Sequence, residues 1–172
     1  MNNMFDTELR MHKYFEDFLK KKICNKNIDY LYEVDNLYGI PDYVLFEKTK
    51  KNIKYILSIE LKLKNWKQGL IQAFRYKNFS NDVFLVIDSK NISSALKQIN
   101  DFVKYNVGLA SFDENKNFYI YYLPISEIPH SDFYTNNLIK EIQKSGKLLQ
   151  GKNKLNLWKK AYSEELIKKL KK

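Results

Sequence analysis

The stretch from Tyr55 to Ile87 limits the fold more than any other part of the chain. Tyr55, Leu57, Ile59, Leu61 and Leu63 fall on one side of an extended segment, and Ile56, Ser58, Glu60, Lys62 and Lys64 on the other. That is the period of a strand with one apolar and one charge-bearing face. Over residues 66–79 the apolar spacing becomes helical, and Asn81-Asp82 then introduces Val83-Phe84-Leu85-Val86-Ile87. Such an unbroken apolar run suits a strand buried on both faces. A strand, a helix and a strand in this order imply a parallel crossover.

The flanking segments extend this unit to an α/β fold, a central mixed β-sheet flanked by helices. Leu9, Met11, Tyr14, Phe15, Phe18 and Leu19 recur at helical spacing over residues 7–22, with Asp6 or Thr7 as N-cap. A strand over 28–34, a turn over 36–41 containing Gly39, and a strand over 43–46 precede the segment at Ile53, forming an antiparallel meander. Beyond Asp88 the pattern predicts a helix over 93–105 and paired strands over 107–112 and 118–123. The core is expected to end near Ser126. This divides the chain into a core over 1–126 and a basic helical C-terminal extension over 127–172, with helical patterns at 136–149 and 157–170.

The formal charge of +10 is unevenly placed, since residues 131–172 hold 11 lysines against Asp132, Glu141, Glu164 and Glu165. A lysine-rich arm of this kind suits a polyanionic partner, because each phosphate neutralised releases condensed counterions. The lone Cys24 has no intramolecular disulfide partner, and His12 and His130 are too far apart in sequence to suggest a zinc cluster. No window approaches the roughly 18 apolar residues of a membrane span, and the N-terminus lacks a signal-peptide pattern, so a cytoplasmic protein is expected.

Three groups of residues carry chemistry. Asp42 follows Gly39-Ile40-Pro41; Glu60 and Lys62 flank Leu61 on a strand; Gln72 and Tyr76 lie four apart on the next helix. Two carboxylates from neighbouring strands are suited to hold magnesium, which prefers oxygen ligands and retains waters. Lys62 shares a strand face with Glu60, where its ammonium is placed to orient a water or to stabilise charge on phosphorus. Gln72 and Tyr76 share one helix face and both can donate hydrogen bonds.

In this order, Pro41-Asp42, Glu60-Leu61-Lys62 and Gln72-Ala73-Phe74-Arg75-Tyr76 resemble the PD-(D/E)xK nuclease superfamily, the restriction endonuclease-like proteins. The likeness covers residues 7–87. It implies a magnesium-dependent endonuclease, with manganese able to substitute, that hydrolyses phosphodiester bonds, with double-stranded or branched DNA as the commonest substrate. Asp42, Glu60 and the Leu61 carbonyl would be the metal ligands. A further acid on the first helix is common in such proteins; Glu8 is the favoured candidate, with Glu16 and Glu33 as alternatives. Arg75 ranks first among the candidate phosphate contacts, ahead of Lys64 and Lys67. Cys24, His12 and His130 are expected to be bystanders.

Two other function classes are consistent with the sequence. One is a catalytically inactive nucleic-acid-binding module that relies on the basic arm. The other is an interaction subunit of a defence or repair complex, docking through Leu155, Leu157, Trp158, Leu166 and Leu170. A homodimer would suit cleavage of both strands of a duplex, because one site hydrolyses one bond.

Overall fold

The computed structural model describes residues 5–36, 38–49 and 52–147. Six strands form one mixed sheet in sequence order: β1 (Ile28–Tyr32), β2 (Tyr43–Lys48), β3 (Ile53–Lys62), β4 (Asp82–Asp88), β5 (Gly108–Phe112) and β6 (Phe118–Tyr122). The pairs β1/β2, β2/β3 and β5/β6 are antiparallel, whereas β3/β4 and β4/β5 are parallel. Among the described residues five α-helices accompany the sheet: α1 (Glu8–Phe18), α2 (Trp66–Arg75), α3 (Ile92–Leu96), α4 (Ile99–Tyr105) and α5 (Asp132–Lys144). The expected meander and crossover are both present, and the protein is α/β with a mixed sheet.

Helix α1 covers one sheet face. The Thr7 side chain caps it by accepting the Arg10 N–H at 3.2 Å, and Met11, Phe15 and Phe18 are buried against it. A π-helical turn over Leu19–Ile23 then inserts Leu19 and Ile23 into the same core. Their partners include Leu57, Ile59, Leu61, Phe84 and Phe112, the inward residues of β3, β4 and β5.

The other face, which carries the charged residues of β3, is buried as well. Leu70 and Ala73 of α2 pack with Ile56, Leu85 and Ile87, so Ser58 and Glu60 lie beneath the helix at 0% and 2% exposure. Gly69 permits this approach. A Cβ there would stand 2.5 Å from Leu85 Cδ1 and 3.0 Å from Lys62 Cγ, so a side chain would crowd α2 against β4 and against β3, the strand that carries the charged pair.

Two helices depart substantially from the sequence pattern. The helix expected over 93–105 is divided at Lys97-Gln98, giving α3 and α4, which bury Ala95 and Phe102. The helix expected over 136–149 starts earlier, at Asp132, because the Ser131 hydroxyl accepts the Tyr134 N–H at 3.4 Å. Although the core is expected to end near Ser126, Leu138 and Ile142 of α5 are fully buried in the second core cluster. The pattern at 157–170, with its proposed docking residues, lies outside the described residues. Among the described residues no helix is long and apolar enough to cross a membrane.

Candidate functional site

The end of the β2/β3 ladder generates the site. The last registered pair is Tyr43 with Ile59, so the next pair of the same kind would set Pro41 against Leu61. Proline has no N–H to return to the Leu61 carbonyl, and the Leu61 N–H instead donates to Asp42 Oδ2 at 2.6 Å. In an antiparallel strand the N–H and C=O of one residue point to the same side. The Leu61 carbonyl therefore faces the Asp42 side of β3.

Glu60 lies on the opposite face of β3 from Leu61 and is 2% exposed. Its Oε1 lies 2.8 Å from Lys62 Nζ, and its Oε2 accepts the Tyr76 hydroxyl at 2.7 Å. The same hydroxyl is 3.0 Å from the Ile40 carbonyl oxygen, tying the turn before Asp42 to the turn after α2. Gly39 makes this possible, because a Cβ at that position would stand 2.9 Å from Tyr76 Cε1.

Burial governs the charges. The side chain of Asp42 is 18% exposed. Desolvation raises its pKa to about 6, with Glu8 and Glu33 adding to the rise and the Leu61 N–H and Lys62 opposing it. Glu60 is raised by burial first and by Asp42 second, against the pull of Lys62 and Tyr76. Burial works against the ammonium of Lys62, but Glu60, Asp42 and Glu8 together outweigh it and hold the amine above its ordinary range. Asp42, Glu60 and Lys62 thus form one electrostatically linked group.

Of the three candidate helper acids, Glu8 sits over the end of β3, with Oε1 3.5 Å from the Leu63 N–H. Glu33, in a left-handed conformation at φ 48°, raises the pKa of Asp42 as Glu8 does. Glu16 is engaged elsewhere, accepting from the Tyr30 hydroxyl at 2.6 Å and pairing with Lys20 at 2.9 Å. Gln72 lies one turn before Tyr76, and its Oε1 is buried without a hydrogen-bond partner. Lys64, Lys67 and Arg75 are exposed, and the Lys67 ammonium lies 5.7 Å from the centre of the Trp66 ring.

His12, expected to be a bystander, stands against the site. Its Nε2 is 3.8 Å from Asp42 Oδ1, and its Nδ1 is 3.3 Å from the Tyr43 hydroxyl oxygen. Burial lowers its pKa, favouring the neutral ring. The only sequence signal was its position one residue past Met11 on α1, too slight to place it over a strand 30 residues away. Cys24 is free, with its thiol pushed up to about 12 by burial, and His130 faces Glu127 at 3.5 Å.

Among the described residues no three His, Cys, Asp or Glu side chains form a ligand cluster. Any cation held here would rest on Asp42, Glu60, the Leu61 carbonyl and water.

No family model matches the chain, and no curated protein matches it. Among solved structures it is similar to the SPO1766 protein of unknown function from Silicibacter pomeroyi. The TM-score is 0.50 at 14% identity, covering 70% of this chain and 76% of that one. At this identity the likeness concerns the fold alone.

Proposed function

We propose that this protein is a magnesium-dependent nuclease with a restriction endonuclease-like core, acting on phosphodiester bonds of nucleic acid, with DNA as the leading substrate. The supporting observation is the linked group of Asp42, Glu60 and Lys62 beside the Leu61 carbonyl. Desolvated carboxylates raised by their own burial and mutual repulsion create a local demand for positive charge, and Lys62 is one cation facing Asp42, Glu60 and Glu8. Magnesium fits this donor set, since it takes few protein oxygens and keeps several waters.

When bound, the ion supplies Lewis-acid polarisation of the phosphoryl oxygen and lowers the pKa of water. The chain's own groups do the remaining work. Asp42 and the Leu61 carbonyl hold one side of the site, with the Leu61 N–H fixing the carboxylate orientation. Tyr76 fixes Glu60, and Lys62 presents an ammonium to charge developing on phosphorus. The Gln72 side-chain NH2, as donor, and the exposed Lys64, Lys67 and Arg75 are the proposed contacts to the strand on either side. The net charge of +10 favours a polyanion at long range.

The test is incubation of the pure protein with plasmid, linear, branched and single-stranded DNA and with RNA, in magnesium, manganese or EDTA. Divalent-dependent cleavage of at least one substrate is expected. An absence of cleavage across the panel in both metals rejects the reading.

Gly39→Ala probes the same arrangement from outside the set of charged groups. The added methyl displaces the Tyr76 ring and with it the hydrogen bond to Glu60. Cleavage is expected to fall roughly 10 to 100-fold, as for a misplacement on the order of 1 Å. Stability should change by only about 1–3 kcal/mol, the range for an overpacked contact. Unchanged kinetics would show that Tyr76 does not position Glu60.

A further inference from the structure

Beside Asp42, between α1 and the end of β1, lies an open cleft of about 540 Å³ whose lining includes Leu9, His12, Lys13, Tyr32 and Tyr43. Its volume falls within the roughly 300–1,000 Å³ of small-ligand sites. Two of its walls are apolar surfaces left in solvent, Tyr32 at 45% and Leu9 at 77% exposure. The Tyr32 ring is braced, meeting His12 edge-on with centroids 5.8 Å apart and tilted against Tyr43 at 5.4 Å.

The charged groups around the cleft are not equivalent. Arg10 is spent on Asp6 at 2.8 Å and Glu114 at 2.9 Å, and Glu16 on Tyr30 and Lys20. Lys13 forms no ion pair among the described residues. The cleft therefore presents a braced aromatic surface, an apolar ledge and one uncommitted ammonium. It shares a wall with the carboxylates through His12, whose Nε2 is 3.8 Å from Asp42 Oδ1.

We propose that this cleft receives an unpaired base of the strand being cut, stacked on Tyr32, with Lys13 on a neighbouring phosphate, so that single-stranded nucleic acid or an unpaired end or junction is the preferred substrate. The proposal rests on the nuclease reading, which places the scissile phosphate at Asp42 and Glu60. A strand entering there carries its adjacent nucleotide past His12 into the cleft. A base inside a duplex has both faces covered by its neighbours and cannot stack on a protein ring without leaving the helix. An unpaired base stacks freely, and every base has a face to offer.

The test measures binding apart from cleavage. Affinities of a labelled single-stranded DNA oligonucleotide and of its duplex are measured in EDTA at one low salt concentration for wild type, Tyr32→Ala, Tyr32→Phe and Lys13→Ala. Circular dichroism checks that each variant folds. Tyr32→Ala is expected to weaken single-strand binding on the order of tenfold, from the loss of one stacked base, and to leave duplex binding unchanged. Tyr32→Phe should retain the wild-type affinity, and Lys13→Ala should lower the salt slope by about 0.7, the value for one single-strand phosphate contact. An oligonucleotide carrying 2-aminopurine should show quenching with wild type that Tyr32→Ala loses.

Single-strand affinity unmoved by Tyr32→Ala, or an equal loss for both DNA forms, overturns the proposal, and metal-dependent cleavage by the same preparation would leave the nuclease reading in place. Tyr32-dependent single-strand binding by a protein that cleaves nothing supports the cleft and rejects the nuclease. Wild type that binds neither DNA form overturns the cleft proposal, and the cleavage panel then decides the nuclease reading.

Discussion

Asp42→Asn is expected to make the metal-free protein more stable at pH 8 while reducing cleavage about a thousandfold or more. Both effects have one cause. The carboxylate is held largely out of water, which raises its pKa from 3.8 to about 6. A folded-state pKa above the unfolded one means that the stabilising form is the protonated acid. Its contribution is complete below about pH 4 and disappears as the pH rises through 6. At pH 8 the ionised side chain costs about 2–3 kcal/mol relative to its neutral form.

Asparagine is neutral at every pH, and its amide oxygen can still accept the Leu61 N–H. In EDTA the variant should unfold at a temperature about 5–10 °C above wild type at pH 8, using the usual conversion for a chain of this size. The gap should close near pH 4. Millimolar magnesium should raise the wild-type transition and move the variant little. Loss of one carboxylate from the proposed metal-binding set removes several kcal/mol of transition-state stabilisation, hence the thousandfold effect. A variant less stable than wild type at pH 8 in EDTA would show that Lys62 and the Leu61 N–H more than offset the burial cost, leaving no unmet demand for a cation.

Lys62→Met should be the most destabilising change in the site. It removes the ammonium 2.8 Å from a carboxylate that is 2% exposed, leaving Glu60 with the Tyr76 hydroxyl. Removing one partner of a buried pair typically costs about 3–5 kcal/mol, because the remaining charge is uncompensated. The loss should be greatest at pH 8 and shrink in acid as Glu60 takes up a proton. The double variant Glu60→Gln/Lys62→Met should recover most of the stability, since its buried groups are neutral. Urea denaturation of wild type, both single variants and the double variant measures the coupling. Cleavage should be lost in all three variants, so recovery of stability without recovery of activity separates the two roles. Equal stability of the Lys62 single and the double variant would mean that water screens the pair.

Much of the fold was legible because it rests on local periodicity. The alternation before Lys62, the helical spacing after Trp66 and the apolar run of β4 each report burial along a single element. Breaks at which no strong signal stands were misplaced. The α3/α4 division falls at Lys97-Gln98, with neither glycine nor proline, and the start of α5 depends on Ser131 as cap, which a reading centred on apolar spacing passes over. How deeply the charge-bearing face of β3 is buried was not legible from its alternation, because that depends on Gly69 letting α2 descend onto Ser58 and Glu60.

The sequence alone determined which residue types stand at which element ends. Pro41 beside Asp42, Glu60 two residues before Lys62, and Tyr76 one turn past Gln72 follow from chain order and strand or helix period. Tertiary structure decided what those residues meet. It set His12 against Asp42, turned Glu16 toward Tyr30, gave Tyr76 to Glu60 and opened a cleft beside the carboxylates. Those outcomes depend on how α1 and α2 seat on opposite faces of the sheet, and helix seating is a property of packed volumes across distant segments. Burial, and therefore the pKa of each carboxylate, appears only when those volumes come together.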